Sequence, residues 1–278
     1  MRPAVCSSAD TQRDRPALER VGVLANERVT TGVGLIALHA PHVAARVRPG
    51  QFVHVRIAEG TQAILRRPFS VHRVAGERIE LLYQVLGDGT RRLSLAQAGD
   101  TMDLVGPLGT GWRVPAGAAH ALIVTGGLGA APLGMLAEEI AAAGVAVTVA
   151  MGAPCVERLV ARELFECVAR RVEVATDDGS AGEHGFVTAV SERLLASEEF
   201  HAVYTCGPET MQRVVAAQAA RTGVACQVSL ERLMACGIGA CLSCVVSTRD
   251  GLKRACVDGP VFNAEEVLWD VTEVPPRH

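Results

Sequence analysis

Four closely spaced cysteines restrict the fold of this chain more than any other feature. They are Cys236, Cys241, Cys244 and Cys256. Their spacing is C-x4-C-x2-C-x11-C, and the plant-type [2Fe–2S] pattern combines a C-x4-C-x2-C loop with a more distant fourth cysteine. Gly237 and Gly239 suit such a loop, because glycine tolerates the positive φ that directs backbone N–H groups at sulfur. The pattern therefore predicts that the four cysteines ligate an iron–sulfur cluster.

Two other interpretations of these cysteines remain open from the sequence. A tetrahedral zinc site is one, although zinc frameworks usually combine two tight pairs, and only Cys241 and Cys244 form a C-x2-C pair here. Four unrelated buried cysteines are the other, which would place four of the nine cysteines within residues 236–256 by chance. The spacing favours the cluster.

Size and charge exclude several classes of protein. At 278 residues the chain exceeds the usual size of one domain, so two or three domains are expected. A net charge of −3 and a pI near 6.3 provide no basic field to attract nucleic acid or anionic lipid. The partners are therefore expected to be small molecules or proteins.

Cysteine usage and hydropathy predict a cytoplasmic protein. The chain is long, its cysteine count is odd, and its N-terminus lacks the apolar core of a signal peptide, which together indicate a reducing compartment. The longest uncharged stretch, residues 121–137, is interrupted by glycine and proline and is typical of a strand, a turn and a helix start. We expect no transmembrane segment.

Hydrophobic patterning divides the chain into four parts: a mobile N-terminal extension at 1–18, a β-barrel at 19–115, an α/β domain at 116–224, and a small cysteine-rich domain at 225–278. The barrel is predicted to be antiparallel, because short β-type runs at 21–29, 34–39, 52–57, 79–86 and 101–104 are separated by turn residues. In the third run, Val53 and Val55 alternate with His54 and Arg56, the period of a half-buried strand.

The α/β domain is indicated by a change of pattern near residue 118. Apolar strands at 121–125, 145–151, 172–176 and 202–206 alternate with helical stretches at 133–143, 158–169, 187–196 and 208–222. Such alternation predicts a doubly wound, mainly parallel sheet. After Gly223 the pattern breaks into loops with short strands predicted at 245–248 and 253–255.

A glycine-rich turn follows the first strand of that sheet. Gly126, Gly127 and Gly129 lie between a buried strand and a helix, where open α/β sheets bind ligands. Glycine lets the backbone approach a pyrophosphate near a helix N-terminus, although a tight αβ turn alone is the simpler alternative. Two further strand-end turns, at 176–180 and 206–209, are expected on the same edge and favour the nucleotide site.

A second candidate nucleotide site lies in the barrel segment. Arg67-Pro68-Phe69-Ser70 offers a guanidinium that pairs with phosphate, an aromatic ring and a hydroxyl, a set that suits a flavin nucleotide. A solvated arginine pair beside a proline turn is the alternative. The turn at 87–90 precedes a predicted helix at 91–97 and adds a possible second phosphate contact.

With these parts in order, the chain resembles the ferredoxin reductase-like superfamily and, within it, the electron-transfer subunits of type B dihydroorotate dehydrogenase. The resemblance covers residues 19 to about 270. It rests on the following stretches: Arg67-Pro68-Phe69-Ser70, Leu82-Tyr83-Gln84-Val85 with Gly89-Thr90, Gly106-Pro107-Leu108-Gly109, 176–180, Cys206-Gly207-Pro208, 234–241 and 256–262.

The resemblance implies a set of cofactors and the residues that hold them. It implies iron ligation by Cys236, Cys241, Cys244 and Cys256, and NAD(H) contacts at Gly126, Gly127, Gly129, Cys206, Gly207 and Pro208. It implies FAD contacts at Arg67, Pro68, Phe69, Ser70, Leu82, Tyr83, Gln84, Gly89 and Thr90. No catalytic acid or base is expected in the chain.

The resemblance also implies a function and a partner. The chain would transfer electrons between NAD(H) and an FMN-containing catalytic subunit through FAD and the cluster, in the dihydroorotate to orotate step of pyrimidine biosynthesis. Two chains of each kind would form a heterotetramer. A subunit of another NAD(P)H-dependent complex, such as a ferredoxin:NADP oxidoreductase or a sulfhydrogenase, remains an alternative, as does a cluster-based redox sensor. NADH is not distinguished from NADPH, since Arg158 is placed where it could meet a 2′-phosphate.

Overall fold

The structure, a computed structural model, describes residues 16–57 and 64–269. The extension predicted at 1–18 therefore lies almost wholly outside the described residues. Its last two residues, Ala17 and Leu18, begin the first strand. Within the described ranges, no helix is long and apolar enough to cross a membrane.

The N-terminal half forms one antiparallel sheet of seven strands with two short helices. The strands are β1 (Ala17–Thr30), β2 (Val33–His39), β3 (Phe52–Arg56), β4 (Arg67–Ser70), β5 (Arg73–Ala75), β6 (Arg78–Gln84) and β7 (Thr101–Leu108). The helices are α1 (Pro41–Ala44) and α2 (Asp88–Leu93). The predicted antiparallel architecture is confirmed, since each pairing in the sheet is antiparallel.

This first sheet curls without closing into a ring. Its strand order is β4-β3-β7-β1-β2-β6-β5, so β4 and β5 are edges within the described residues. Strand β4 nevertheless contacts β6, which brings the two ends of the sheet near one another. Aliphatic side chains that alternate along the strands fill the core between them, as expected for half-buried strands. The fold is a half-barrel.

The second half forms an α/β sheet. Its strands are β8 (His120–Gly126), β9 (Ala146–Ala153), β10 (Arg171–Thr176), β11 (Glu183–His184), β12 (Ala202–Cys206), β13 (Cys226–Ser229) and β16 (Val261–Asn263). Its helices are α3 (Gly134–Ala142), α4 (Arg162–Val168), α5 (Val187–Ser197) and α6 (Glu209–Thr222). A 3₁₀ helix at Gly127–Leu133 precedes α3, and a shorter one at Val156–Arg158 follows β9.

The strand order of the second sheet locates its ligand-binding crevice. The order is β11-β10-β9-β8-β12-β13-β16, and the pairings are parallel except for the last. From β8 the chain moves outward through β9 to β11 and then returns to the other side of β8 at β12. Such a reversal forms a crevice at the carboxyl ends of the two adjacent strands. The predicted doubly wound fold is confirmed.

The cysteine-rich segment is attached to the second sheet at both ends. Strand β13 enters it, and β16 leaves it and pairs with β13 in antiparallel register. Between them lie a loop at residues 236–244, here called the cysteine loop, and a hairpin of β14 (Val245–Thr248) and β15 (Gly251–Arg254). The fourth cysteine, Cys256, follows the hairpin. The predicted boundary at 224/225 thus falls before two strands that complete the α/β sheet, β13 and β16, and the sequence pattern predicted neither of them.

Buried polar contacts join the half-barrel to the α/β sheet. The indole nitrogen of Trp112 donates to the carbonyl of Pro132 at 2.9 Å, and Nδ1 of His72 lies 3.0 Å from the carbonyl of Ala131. Both carbonyls belong to the 3₁₀ helix that follows β8. An ion pair between Arg73 and Glu138, at 2.7 Å, adds a more exposed contact to α3. The turn after β8 is therefore held from the barrel side as well as from its own sheet.

Candidate functional site

The arginine of the predicted flavin motif lies beside the first turn of α2. A Cβ built on Gly89 would lie 3.2 Å from Nε of Arg67, so these two predicted contacts are neighbours. Nη1 of Arg67 donates to the carbonyl of Leu65 at 2.7 Å. The hydroxyl of Thr90 accepts the backbone N–H of Leu86 at 2.9 Å. The structure thus brings a partly exposed cation and a tight turn together at one end of the barrel.

The two aromatic residues predicted at the flavin site lie inside the barrel. Phe69 and Tyr83 are buried and pack edge to face with ring centroids 6.3 Å apart. The Tyr83 hydroxyl donates to Oδ1 of Asn26 at 2.8 Å. Leu82, one residue earlier, is on the other face of β6 and packs with the α/β core. These three side chains serve packing, whereas Gln84 at the end of β6 is only half-buried.

The glycine turn after β8 packs directly on the turn after β12. A Cβ on Gly129 would overlap the carbonyl of Cys206 and lie 2.6 Å from the nitrogen of Gly207. A Cβ on Gly126 would lie 2.8 Å from Cδ of Pro208. These glycines allow two backbone turns to touch at the crevice between β8 and β12. The structure therefore brings all the residues predicted for NAD(H) to one place.

Gly127 differs from its neighbours in this turn. Its φ is +54°, and a Cβ at this position would meet nothing within 4 Å. Gly127 is therefore the glycine of this turn that a ligand can approach. At Gly126 and Gly129 a side chain would collide with the neighbouring turn, so packing within the protein explains these two glycines.

Cys206 ends β12 at the centre of this crevice. It is buried, and burial raises the pKa of its thiol well above the usual range, with a further contribution from Glu231. The thiol is therefore neutral at physiological pH and contributes a small, polarisable surface to the crevice.

A third turn lies farther along the same edge of the sheet. The Ser180 hydroxyl donates to Oδ1 of Asp178 at 2.6 Å and accepts the backbone N–H of Val156 at 2.8 Å. These bonds join the loops after β9 and β10. Nη1 of Arg158 donates to the carbonyl of Thr31 in the half-barrel at 3.1 Å. Arg158, which the sequence placed near a possible 2′-phosphate, thus contacts the barrel.

The four cysteines of the predicted cluster are neighbours with different exposure. Cys244 and Cys256 are buried, Cys236 is half-buried and Cys241 is exposed. The sulfur of Cys236 accepts backbone N–H groups from Ile238 at 3.5 Å and from Cys241 at 3.4 Å. Such N–H···S contacts stabilise thiolates and are typical of loops around iron–sulfur clusters.

Two of these four cysteine thiols, those of Cys241 and Cys256, have opposite pKa shifts. The hydroxyl of Ser243 lies 3.2 Å from the sulfur of Cys241, and hydrogen bonds from Ser243 and Cys236 lower the pKa of Cys241 to about 6. Burial, together with the neighbouring thiol of Cys244, raises the pKa of Cys256 to about 12. In the described ranges no three His, Cys, Asp or Glu side chains form a group that could hold a single metal ion.

One polar residue at the cysteine loop was not predicted. His54 on β3 is only 1% exposed, and neither ring nitrogen has a hydrogen-bond partner within the described residues. A Cβ on Gly237 would lie 2.5 Å from its Nδ1, so the ring packs against the loop between the first two cysteines. Burial, with Arg66 and Arg67 nearby, lowers the pKa of His54, so the ring is neutral at pH 7. Strand alternation placed His54 on a polar face, and no sequence signal shows what covers that face.

A half-barrel joined to a doubly wound sheet with a crevice at its switch point defines a reductase of the ferredoxin reductase-like class. A solved structure of an NADH-dependent reduced ferredoxin-NADP oxidoreductase is similar, with a TM-score of 0.83 and 33% identity over 90% of each chain. The fold of a ferredoxin NADP+ reductase from Neisseria gonorrhoeae is also similar, with a TM-score of 0.63 and 19% identity over 74% of this chain and 92% of that one.

The sequence comparisons identify the family within this class. Residues 231–268 match the iron-sulfur cluster binding domain of dihydroorotate dehydrogenase B. The dihydroorotate dehydrogenase B (NAD(+)) electron transfer subunit of Desulforamulus reducens is 38% identical over 89% of this chain and 97% of its own length. That of Caldanaerobacter subterraneus is 40% identical over the same shares. The chain belongs to this family of electron transfer subunits, which confirms the resemblance and implies a catalytic partner subunit.

Proposed function

We propose that this chain transfers electrons between NAD(H) and an FMN-containing dihydroorotate dehydrogenase subunit, through FAD and a [2Fe–2S] cluster. The reaction is the dihydroorotate to orotate step of de novo pyrimidine biosynthesis in the cytoplasm, in an assembly of two chains of each kind. The observation that carries the proposal is the packing of three candidate sites, in the half-barrel, the sheet crevice and the cysteine loop, within one chain of this family. Bound FAD supplies the conversion between hydride exchange and single-electron transfer.

For the cluster we propose four ligands, Cys236, Cys241, Cys244 and Cys256. Their spacing, the backbone N–H groups that point at the Cys236 sulfur, and the lowered pKa of the Cys241 thiol all suit thiolate ligation. The match of residues 231–268 to the family's cluster-binding domain supports the same assignment.

For FAD we propose two modes of contact in the half-barrel. Arg67, with Gly89 and Thr90 beside it, binds the phosphates, because a forked guanidinium gives charge-assisted bonds to phosphate. Pro68, Ser70, Leu82 and Gln84 line the flavin mainly through the backbone. Phe69 and Tyr83, being buried, hold β4 and β6 in position behind it.

For NAD(H) we propose the crevice between β8 and β12. Gly127 offers the open backbone that a pyrophosphate requires, while Gly126, Gly129 and Gly207 keep the two turns in contact. Cys206 and Pro208 then lie where the nicotinamide enters. No side chain of this crevice would have to donate or accept a proton, since the bound nucleotide would itself supply the hydride chemistry.

Exposed apolar side chains on and beside the cysteine loop suit a protein partner. They are Leu233, Ile238, Leu242 and Val257. Clustered exposed apolar residues mark interaction sites more often than isolated ones do. A cleft of about 460 Å³, lined partly by Trp112, Ile238 and Val257, opens beside them. We propose that the catalytic subunit docks here, which brings its cofactor close to the cluster.

The test is reconstitution of the chain with an FMN-containing dihydroorotate dehydrogenase catalytic subunit. NADH-linked reduction of orotate is measured for the wild type, for Cys241→Ser and for Cys167→Ser. Cys167 is an exposed free cysteine outside the loop, so its variant is the matched control. For Cys241→Ser we expect loss of the iron–sulfur spectrum and at least a hundredfold loss of orotate reduction. For Cys167→Ser we expect neither. Full orotate reduction by a cluster-free variant would contradict the proposed path.

A second candidate function is favoured by one observation. The NADH-dependent ferredoxin-NADP oxidoreductase chain is 33% identical over 90% of both chains, so the same cofactors could serve a different partner. Reduction of ferredoxin or NADP+ by the reconstituted complex, without reduction of orotate, would favour this alternative. The fold and cofactor assignments would remain the same in either case.

A further inference from the structure

The buried imidazole of His54 lacks the well-formed hydrogen bonds that burial normally requires. Its Nδ1 and Nε2 atoms make no hydrogen bond of good geometry within the described residues, although longer or bent hydrogen bonds to the backbone of Cys236 and Arg66 act to raise its pKa. A buried polar group without a good partner destabilises the folded chain. Where one persists in a native structure, an ordered water, an ion or a redox role commonly explains it.

The position of His54 connects two of the proposed cofactor sites. Strand β3 pairs with β4, where His54 lies opposite Pro68 of the flavin motif. Phe52, two residues earlier and therefore on the same face, packs with Cys244 and Cys256. The outward face of β3 thus contacts the cysteine loop, while its inward face, with Val53 and Val55, belongs to the barrel core.

The ring meets the cysteine loop at its tightest bend. Gly237 follows Cys236 directly, has a φ of +73°, and leaves room for the ring where a side chain would not fit. The sulfur of Cys236 accepts two N–H groups from within the loop. His54 approaches from the barrel side, and a neutral imidazole carries one N–H that can donate to sulfur.

We propose that His54 donates a hydrogen bond to the iron–sulfur centre on its Cys236 side and thereby raises the reduction potential of that centre. The inference rests on the proposed function in one respect, that the four cysteines hold a cluster. A donor near sulfur stabilises the more negative, reduced state, and hydrogen bonds to sulfur are among the factors that set cluster potentials. His54 would therefore help the cluster to accept an electron from the flavin side.

The experiment compares His54→Leu with His54→Asn in the purified full-length chain. Asparagine places an N–H group near the position of Nδ1, and leucine has a similar size without a donor. Potentiometric titration followed by EPR gives the midpoint potential of the cluster. At the wild-type midpoint potential, the ratio of reduced to oxidised cluster should be about tenfold lower in His54→Leu. This corresponds to a midpoint potential lower by about 59 mV for a one-electron couple. His54→Asn should recover much of that ratio, with iron content equal in all three.

A second measurement tests the contact between the ring and the cluster directly. Pulsed EPR of the reduced wild-type chain, labelled with ¹⁵N-histidine, should show a weak nitrogen coupling that His54→Asn removes. Unchanged potentials in both variants, equal shifts in both, or no coupling in the labelled wild type would overturn the inference and leave the proposed function in place. A wild-type chain that binds zinc, or no metal, would overturn the proposed function and this inference with it.

Discussion

The glycine turn after β8 and the cysteine loop contain similar residues but are shaped by different forces. In the first, backbone packs on backbone, since Gly129 touches Cys206 and Gly207 of the neighbouring turn. In the second, the bends at Gly237 and Gly239 pack on side chains, those of His54 and Val257. Cys206 of the first region is buried, whereas Cys241 of the second is exposed.

The difference shows how glycine-rich sequences can serve opposite purposes. The turn after β8 is held by its own sheet and by the barrel, so it keeps its shape without a ligand. In the cysteine loop, the N–H groups of Ile238 and Cys241 point at the sulfur of Cys236 rather than at backbone carbonyls. Under the proposed function, this loop would be completed by the cluster that it binds.

The largest expected difference between the two regions is in thiol reactivity. In the cluster-free chain, Cys241 has a pKa of about 6 and is exposed, so it is largely thiolate at pH 7. Burial raises the pKa of Cys206 far above that pH. Iodoacetamide should therefore alkylate Cys241 at least about a thousandfold faster than Cys206, as measured by peptide mass spectrometry.

The pH dependence of this alkylation checks whether the thiolate form of Cys241 accounts for its faster reaction. The rate at Cys241 should rise with pH through about 6 and then level off, because the thiolate is the nucleophile. Ser243→Ala removes a hydrogen bond that stabilises the thiolate, so the midpoint should move to higher pH. An unchanged midpoint in this variant would contradict the role given to Ser243.

The next largest effect is expected for Gly129→Ala. The new methyl group would overlap the backbone of Cys206, which has no freedom to move away. We expect a loss of about 3 kcal/mol in the free energy of unfolding, the upper part of the range for overpacking. Gly127→Ala is the matched control, since its methyl group meets open space and costs only about 1 kcal/mol through its positive φ. Equal losses in urea denaturation would contradict the packing argument.

A smaller loss is expected for the corresponding change in the cysteine loop. In Gly239→Ala the methyl group would lie 2.7 Å from Cγ2 of Val257, a side chain near the surface that can shift. The cost should be about 1–2 kcal/mol, mainly from the positive φ. It should appear as reduced iron content after reconstitution, with the melting of the α/β sheet by circular dichroism almost unchanged. A loss as large as that of Gly129→Ala would remove the contrast between the two loops.

The smallest effect is expected at the ion pair between Arg73 and Glu138. Both side chains are partly exposed, and exposed pairs contribute about 0.2–1 kcal/mol. A double-mutant cycle with alanine should give a coupling energy near the lower end of that range, decreasing with added salt. A coupling above about 2 kcal/mol would show that this pair, more than the buried contacts of Trp112 and His72, joins the barrel to the turn after β8.

The sequence predicted those parts of the fold in which residues close together in the chain show the hydrophobic period of a strand or a helix. Both sheets followed from hydrophobic periodicity, and the observed β12 and β14 have the predicted bounds. The short strands β13 and β16 were missed because their pairing joins residues separated by the whole cysteine segment. The helix predicted at 91–97 begins earlier, at Asp88, since the turn glycine acts as its N-cap.

For the candidate site, the sequence located the loops but not the direction of each side chain. Tyr83 was expected beside the flavin. The two-residue alternation of a strand does not say which face of the sheet Tyr83 is on, and its hydrogen bond to Asn26 holds it in the barrel core. His54 was missed for the opposite reason, since a polar residue on an alternating strand is normally exposed. What buries it lies about 180 positions away in the chain.

The pairing of β13 with β16 has a consequence for how the four cysteines are positioned. The cysteine segment leaves the α/β sheet at one strand and returns at the adjacent one, so it is fastened at both ends, unlike a domain on a single linker. Under the proposed function, the cysteines would therefore keep their place beside the sheet, and no hinge motion of this segment would be needed to deliver electrons to the catalytic subunit.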